Sequence, residues 1–309
     1  MLWAAPAWSQ GATERPLRLI VPFPPGGPVD TAARIMAQAL AGPLGQPVLV
    51  ENRSGAGGNI GVDAVAKAAP DGLTLAFAST GALAVNPGLV PNMPYDTLRD
   101  LAPVAILSAT PAVLAVRPGG MPDLAALLAA ARRAPGTLSF ASTGPGGTPH
   151  LAAELLKLRA GVDITHVAYR GAAPVLTAML AGEIDMTFLD VPVLLPLLRE
   201  GRLWALAVTA PERSAVLPEV PTTAEAGLPG VEVENWYAML APAGTPPERV
   251  ARLAAAVQGA LAPGGETARR YTELGSRIVA AGPVEATAFI RAEIVKWAEV
   301  VRRANIRPD

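Results

Sequence analysis

The stretch LRLIVPFPPGGPVDTAARIMAQAL, residues Leu17–Leu40, decides the fold. A β-prone apolar run, Leu17–Val21, enters a loop whose Gly26-Gly27 pair precedes Pro28, a residue suited to the first helical position. Apolar residues at a period near 3.6 follow. The same order recurs in LSFASTGPGGTPHLAAELLKL, Leu138–Leu158, around Gly146-Gly147 and Pro149. Each segment reads strand, glycine-rich loop, helix. A helix N-terminus fed in this way carries N–H groups with no intrahelical partner and a partial positive charge, so it holds an anion without a charged side chain. Neither loop contains Lys or Arg. Facing each other across a cleft, the two loops form a pincer suited to a carboxylate. The pattern points to capture of a small anion more than to chemistry upon one.

The rest of the chain narrows the options. Its 309 residues, 51% hydrophobic and 17% charged, suffice for one large or two ordinary globular domains. A net charge of −1 lacks the basic footprint of a nucleic-acid or anionic-membrane binder. With no Cys and only two His, His150 and His166, thiolate catalysis and Cys/His zinc sites drop out, and no metal or cofactor is expected. Met1–Ser9, MLWAAPAWS, reads either as the small-x-small end of a secretory signal or as a plain leader, and residues 1–13 are set aside as a leader segment. No later stretch has the ~18 unbroken apolar residues of a membrane span, so a soluble body is expected.

Strand and helix signals alternate, which predicts an α/β architecture with largely parallel sheets. A further echo supports two related lobes: LAFASTG at Leu75–Gly81 returns as LSFASTG at Leu138–Gly144, placing Ser-Thr-Gly just past a strand's C-terminal end in both. In open α/β sheets ligands bind at that edge. The Pro-rich segments Asn86–Pro103 and Pro211–Pro229 read as irregular connections carrying the lobe crossings. The predicted division is lobe 1 over 14–104, lobe 2 over 105–228, and a return to lobe 1 over 229–309. The helices from Pro246 onward are expected to have no partner strand after Leu240.

In order along the chain, VPFPPGGPVD (Val21–Asp30), VENRSGAGGNIG (Val50–Gly61), PDGLTL (Pro70–Leu75), HVAYRG (His166–Gly171), LPEVPTTAEAGLPG (Leu217–Gly230) and NWYAMLAPAGTP (Asn235–Pro246) resemble the Bordetella uptake gene family. These are the periplasmic receptors of tripartite tricarboxylate transporters. The resemblance covers about Arg15 to the C-terminus. It implies a type II periplasmic solute-binding fold, two α/β lobes with a ligand cleft between them. It also implies periplasmic location, a carboxylated ligand held partly through ordered water, and delivery to the transporter's membrane subunits. A monomer and no enzymatic activity are expected. The family's gripping loops fall on Phe23–Gly27 and Thr143–Thr148. Where family members usually read HVPYKG, this chain has Ala168 and Arg170.

The candidate ligand contacts are therefore Phe23, Pro25, Gly26 and Gly27 in the first loop and Thr143, Gly146, Gly147 and Thr148 in the second. A β-branched residue at Gly27 or Gly147 is expected to block the approach and strain the loop. Ser79, Thr80 and Ser142 offer strand-end hydroxyls that either donate to a carboxylate or cap their loops. Tyr169 offers a ring and a hydroxyl, and Arg170 either pairs a second, distal carboxylate or lies on the surface. Asp190 either accepts from a ligand amine or hydroxyl or caps the helix that follows it. Asp30 reads as a helix cap, Trp236 as a core residue or a hinge or pocket wall. GAGGNIG, Gly55–Gly61, lacks both dinucleotide spacing and a P-loop Lys and reads as a structural loop. The rival to the binding protein is an α/β hydrolase or transferase using Ser142 and His150 with a backbone oxyanion hole, although Phe140 stands where the nucleophile elbow demands Gly.

Overall fold

In the computed structural model, which describes residues 15–307 with the exception of Pro145, the opening stretch forms strand β1 (Leu17–Val21) and helix α1 (Pro28–Leu44). The expected leader, 1–13, lies outside the described residues. β1 pairs in parallel with β2 (Val48–Asn52) and with β3 (Thr74–Ser79), and α2 (Asn59–Ala66) makes the second crossover. Alternation along β1 sends Leu19 and Val21 to one face, against Met36 and Leu40 of α1, and Ile20 to the other, against Val62 and Val65 of α2.

After a short helix, α3 (Asn86–Leu89), the chain enters β4 (Leu101–Val116), 16 residues long. There follow α4 (Leu124–Arg133), β5 (Ser139–Ser142), α5 (Thr148–Ala160), β6 (Thr165–Ala168), α6 (Ala172–Ala181), β7 (Met186–Asp190), α7 (Val191–Arg199) and β8 (Trp204–Val208). The return is β9 (Glu234–Pro242), α8 (Pro247–Ala260), α9 (Glu266–Glu273), β10 (Arg277–Ala281) and α10 (Pro283–Arg303). The strand order is β2-β1-β3-β9-β4-β7-β5-β6, with β8 and β10 also paired to β4.

Two expectations are corrected here. The sheet is mixed rather than largely parallel: β1–β2, β1–β3, β5–β6 and β5–β7 are parallel, whereas every pairing made by β4 and β9 is antiparallel. The helices after Pro246 do have a partner strand, because β10 pairs with β4.

β4 is itself the first crossing between the halves. Leu101–Pro111 pairs with β9, and Ala112–Val116 pairs with β7. The Asn86–Pro103 segment thus contains a helical turn and the start of this strand rather than an irregular connection. The return crossing runs from Thr209 to Val233, and fully buried Thr209 ties the passages together. Its N–H donates to the Ala112 carbonyl at 2.9 Å and its hydroxyl to the Val233 carbonyl at 2.5 Å, while Val233 N–H donates to the Thr209 carbonyl at 2.9 Å.

α1 and α8 cover one face of the first half's sheet and α10 the other. On β9, alternation sends Trp236 into the α10 side, where its indole N–H donates to buried Glu293 at 2.9 Å, and Tyr237 to the opposite face. Trp297 of α10 donates to the same carboxylate oxygen at 3.0 Å, and Lys296 pairs with its partner oxygen. Trp236 is thus a core residue. Trp236, Trp297, Tyr271, Phe77 and Phe140 are among the largest fully buried side chains, and burial of each large apolar side chain contributes roughly 1.5–3 kcal/mol.

Candidate functional site

The two glycine loops are built alike. Gly26 and Gly146 adopt positive φ, +81° and +71°, the region that favours glycine. The next residue in each, Gly27 or Gly147, is the helix N-cap in extended conformation, φ −77° and −68°. In each loop the first glycine's N–H donates to the side chain four residues on: Gly26 to Asp30 Oδ2 at 2.9 Å, Gly146 to His150 Nδ1 at 3.1 Å. The conformational demand therefore falls on Gly26 and Gly146. The strain expected at Gly27 and Gly147 is absent, because both lie in backbone that any residue adopts.

Asp30 is a hub rather than a cap on its own helix. Besides the Gly26 N–H it accepts from Arg34 Nε at 2.9 Å and Asn52 Nδ2 at 2.8 Å, and Asn52 also donates to the Phe23 carbonyl at 3.0 Å. Burial opposes its ionisation, but the bonds from Arg34, Gly26 and Asn52 outweigh that cost and hold the carboxyl below its ordinary value. The first loop is thereby fixed from both ends, with Pro25 and Gly26 exposed and Phe23 half-buried against the Gly58 turn.

In the second loop His150 must accept at Nδ1, which requires a neutral ring. Burial, then His166 and Lys157, lower its pKa to about 4. Its ring stacks on His166 with centroids 3.9 Å apart, and His166 stacks on Phe140 at 4.7 Å. Ser142 bonds to His166 Nε2 at 2.7 Å, not to His150, and is wholly buried. Its hydroxyl also donates to the Gly144 carbonyl. A nucleophile inaccessible to any substrate, with the expected base committed to a loop amide, gives no support to the hydrolase arrangement.

Beneath the first loop lies a cavity of about 230 Å³. Gly26, Pro28 and Thr31 at the α1 N-terminus line it, with Thr110 of β4, Tyr237 of β9, Leu274 and Ser276 before β10, and Asp190 and Pro192 from the other half. The Thr110 and Ser276 hydroxyls bond to each other at 2.6 Å. Asp190 occupies the N-cap position of α7, yet its side chain makes no capping hydrogen bond, which removes the capping role. Its partner is Asn235 Nδ2 at 3.4 Å, and burial pushes its pKa up to about 6.

The cavity thus brings Gly26 and Asp190 together. The second loop does not line it; Gly146 instead abuts Leu89 of α3, across the gap between the halves, so closely that a Cβ there would stand 2.3 Å from Leu89 Cδ2. Thr143 and Thr148 are half-buried in that loop, with Thr143 Oγ1 packed against Gly147. Tyr169 packs on the second half's own core, and Arg170 is exposed. Buried Thr80 is corrected from a ligand contact to an internal tie: its hydroxyl donates to the Glu234 carbonyl at 3.2 Å and accepts from Trp236 N–H at 2.9 Å. Ser79 beside it is buried and registers opposite Tyr237.

Thr110, Tyr237 and Ser276 were not singled out from the sequence. The alternation in NWYAMLAP carried one usable signal, since a Trp facing the core puts the adjacent Tyr on the other face.

Among the described residues no group of three or more acidic or His side chains could hold a metal, and no helix is long and apolar enough to cross a membrane. Residues 32–306 match the model of the tripartite tricarboxylate transporter family receptor. Protein BugT of Bordetella pertussis is 40% identical over 306 residues, spanning 98% of this chain and 94% of its own. Among solved structures, MatC (Rpa3494) from Rhodopseudomonas palustris with bound malate superposes with a TM-score of 0.76 at 37% identity, covering 93% of this chain and 99% of that one. Rpa4515 of R. palustris with adipate gives 0.79 at 36%, covering 96% and 99%. The fold is that of periplasmic solute-binding proteins, and the chain belongs to the family of tripartite tricarboxylate transporter receptors.

Proposed function

We propose that this receptor captures a small organic carboxylate between its two halves and presents the closed form to the membrane subunits of a tripartite tricarboxylate transporter, without covalent chemistry. The observation that carries the reading is the paired construction of the loops. Each has a positive-φ glycine whose N–H is pinned by the side chain four residues on, a glycine N-cap, and no basic side chain. The N-termini of α1 and α5 are then left with main-chain N–H groups for an anion. Gly26, Gly27, Pro25 and Phe23 form one jaw, and Thr143, Gly146, Gly147 and Thr148 the other, with Ser79 and Tyr169 at the flanks and Arg170 pairing a distal carboxylate in longer ligands. The relatives solved with malate and adipate are consistent with this class of ligand.

The lobes proposed to move divide between Pro111 and Ala112 rather than at 104/105 and rejoin near Val233 rather than at 229, hinged about the Ala112–Thr209–Val233 knot. The protein acts as a periplasmic monomer.

The test is a thermal-shift screen of several dozen carboxylates on protein stripped of co-purified ligand, followed by calorimetry and a check that the ligand is recovered unchanged. At 100 times Kd a ligand raises stability by about 2.7 kcal/mol. Saturable binding with no turnover supports the reading. Turnover of any ligand, or a screen with no carboxylate hit, refutes it.

A further inference from the structure

We infer that Asp190 selects, among carboxylates, those that also carry a hydrogen-bond donor, a hydroxyl or ammonium group. The inference rests on the carboxylate reading above and adds the second half of the ligand's chemistry.

Asp190 is placed at the mouth of α7 but spends nothing on it, since its side chain makes no capping bond. A carboxylate offers about four acceptor positions, and the contact from Asn235 is long, at 3.4 Å. The surrounding wall makes no other hydrogen bond to it: Pro28, Pro192 and Leu274 are apolar, Thr110 and Ser276 bond each other, the Thr31 and Tyr237 hydroxyls that also line the cavity do not bond to Asp190, and no Lys, Arg or His lines it. A half-buried carboxylate with one long hydrogen bond is under-partnered, and burial pushes its proton affinity up.

Gly26, from the loop assigned to the ligand's own carboxylate, lines the same cavity. A ligand that fills it brings its anionic end to the α1 N-terminus and some other group to Asp190. A second carboxylate there would set two like charges side by side in a desolvated space, which disfavours the dianion. An O–H or N–H donor fills the vacant acceptor positions instead. A hydrogen bond to a charged group corresponds to roughly tenfold to hundredfold in affinity.

The test measures calorimetric affinities of two matched sets, succinate with malate and aspartate, and glutarate with 2-hydroxyglutarate and glutamate, on the wild-type protein, Asp190→Asn and Asp190→Ala. The expected result is a preference of at least tenfold for a donor-bearing acid over its plain parent, abolished in Asp190→Ala while the plain acid binds no worse. Asp190→Asn keeps an acceptor oxygen, so it retains part of a hydroxyl preference and loses an ammonium preference, which tells the two donors apart. Equal wild-type affinity within a set, or an equal loss for plain and substituted acids in Asp190→Ala, overturns the inference. If none of the six binds but the wider screen finds a tight carboxylate without a donor, the inference falls and the carboxylate reading stands. If no carboxylate binds at all, both fall.

Discussion

Substituting the loop glycines one at a time separates backbone strain from steric exclusion. Gly26, at φ +81°, has nothing within 4 Å of where a Cβ would stand, so Gly26→Ala meets only the cost of left-handed backbone, roughly 1–2 kcal/mol. Gly27 lies at φ −77°, ψ 170°, with its Cβ position 3.6 Å from the Pro24 carbonyl, an ordinary contact. Gly27→Ala gains ~0.4–1 kcal/mol from a stiffer unfolded chain and loses a comparable amount as a poorer N-cap, for a net near zero. Gly146→Ala combines left-handed strain with overlap onto Leu89 Cδ2 at 2.3 Å, the far end of a side chain able to shift, and should cost about 2–3 kcal/mol. Urea denaturation of ligand-free protein, followed by circular dichroism and Trp fluorescence together, reads the order directly: wild type and Gly27→Ala together, Gly26→Ala below them, Gly146→Ala lowest. A Gly27→Ala variant as damaged as Gly26→Ala would refute the assignment of conformational demand, and with it the parallel between the two loops.

Asp190→Asn should raise the stability of the ligand-free protein at neutral pH. The folded pKa, about 6, lies above the ordinary 3.8, so ionisation opposes folding. The wild-type deficit is absent below pH ~4, grows as pH rises towards 6, and is constant above, at about 1–3 kcal/mol. A wild-type to variant difference flat between pH 4 and 8 would contradict this. Glu293→Ala leaves two buried indole N–H groups unpaired and should cost about 2–4 kcal/mol in urea melts, whereas Glu293→Gln keeps one acceptor and costs about half as much. Equal losses in the two variants would show that charge, not acceptor geometry, holds α10.

Much of the fold was legible because local signals agreed with it. Leu17–Val21 forms a strand with the predicted limits, and both glycine loops stand where the sequence placed them, each opening a helix. β4 does not read as one strand, because Pro103 and Pro111 lack the N–H of a ladder and read as breaks. Irregular pairing, with register shifts between Pro103 and Ala105 and between Ile106 and Ser108, accommodates Pro103, while Pro111 stands where the partner strand changes from β9 to β7. β10 escaped notice because it is five residues long and pairs through a bulge with a strand more than 160 positions earlier. At the site, strand-end position was readable but side-chain commitment was not. Thr80 is occupied by a strand 154 residues away, and Ser142 meets His166 as a diagonal neighbour across the β5–β6 register, contacts that no local pattern encodes. Asp190 looked like a cap because α7 starts beside it; only the direction of its side chain shows otherwise.

Because β4 donates Leu101–Pro111 to one half and Ala112–Val116 to the other, neither half is a separable module. A fragment ending before Leu101 would leave β3 with an open edge where β9 belongs, and one beginning at Arg117 would strip β7 and β8 of the strand between them. For reporter fusions, split-protein complementation or domain grafting, the tolerant cut sites are accordingly the exposed turns at Pro118–Gly120 and Pro263–Gly264, while a break anywhere along β4 dismantles both halves at once.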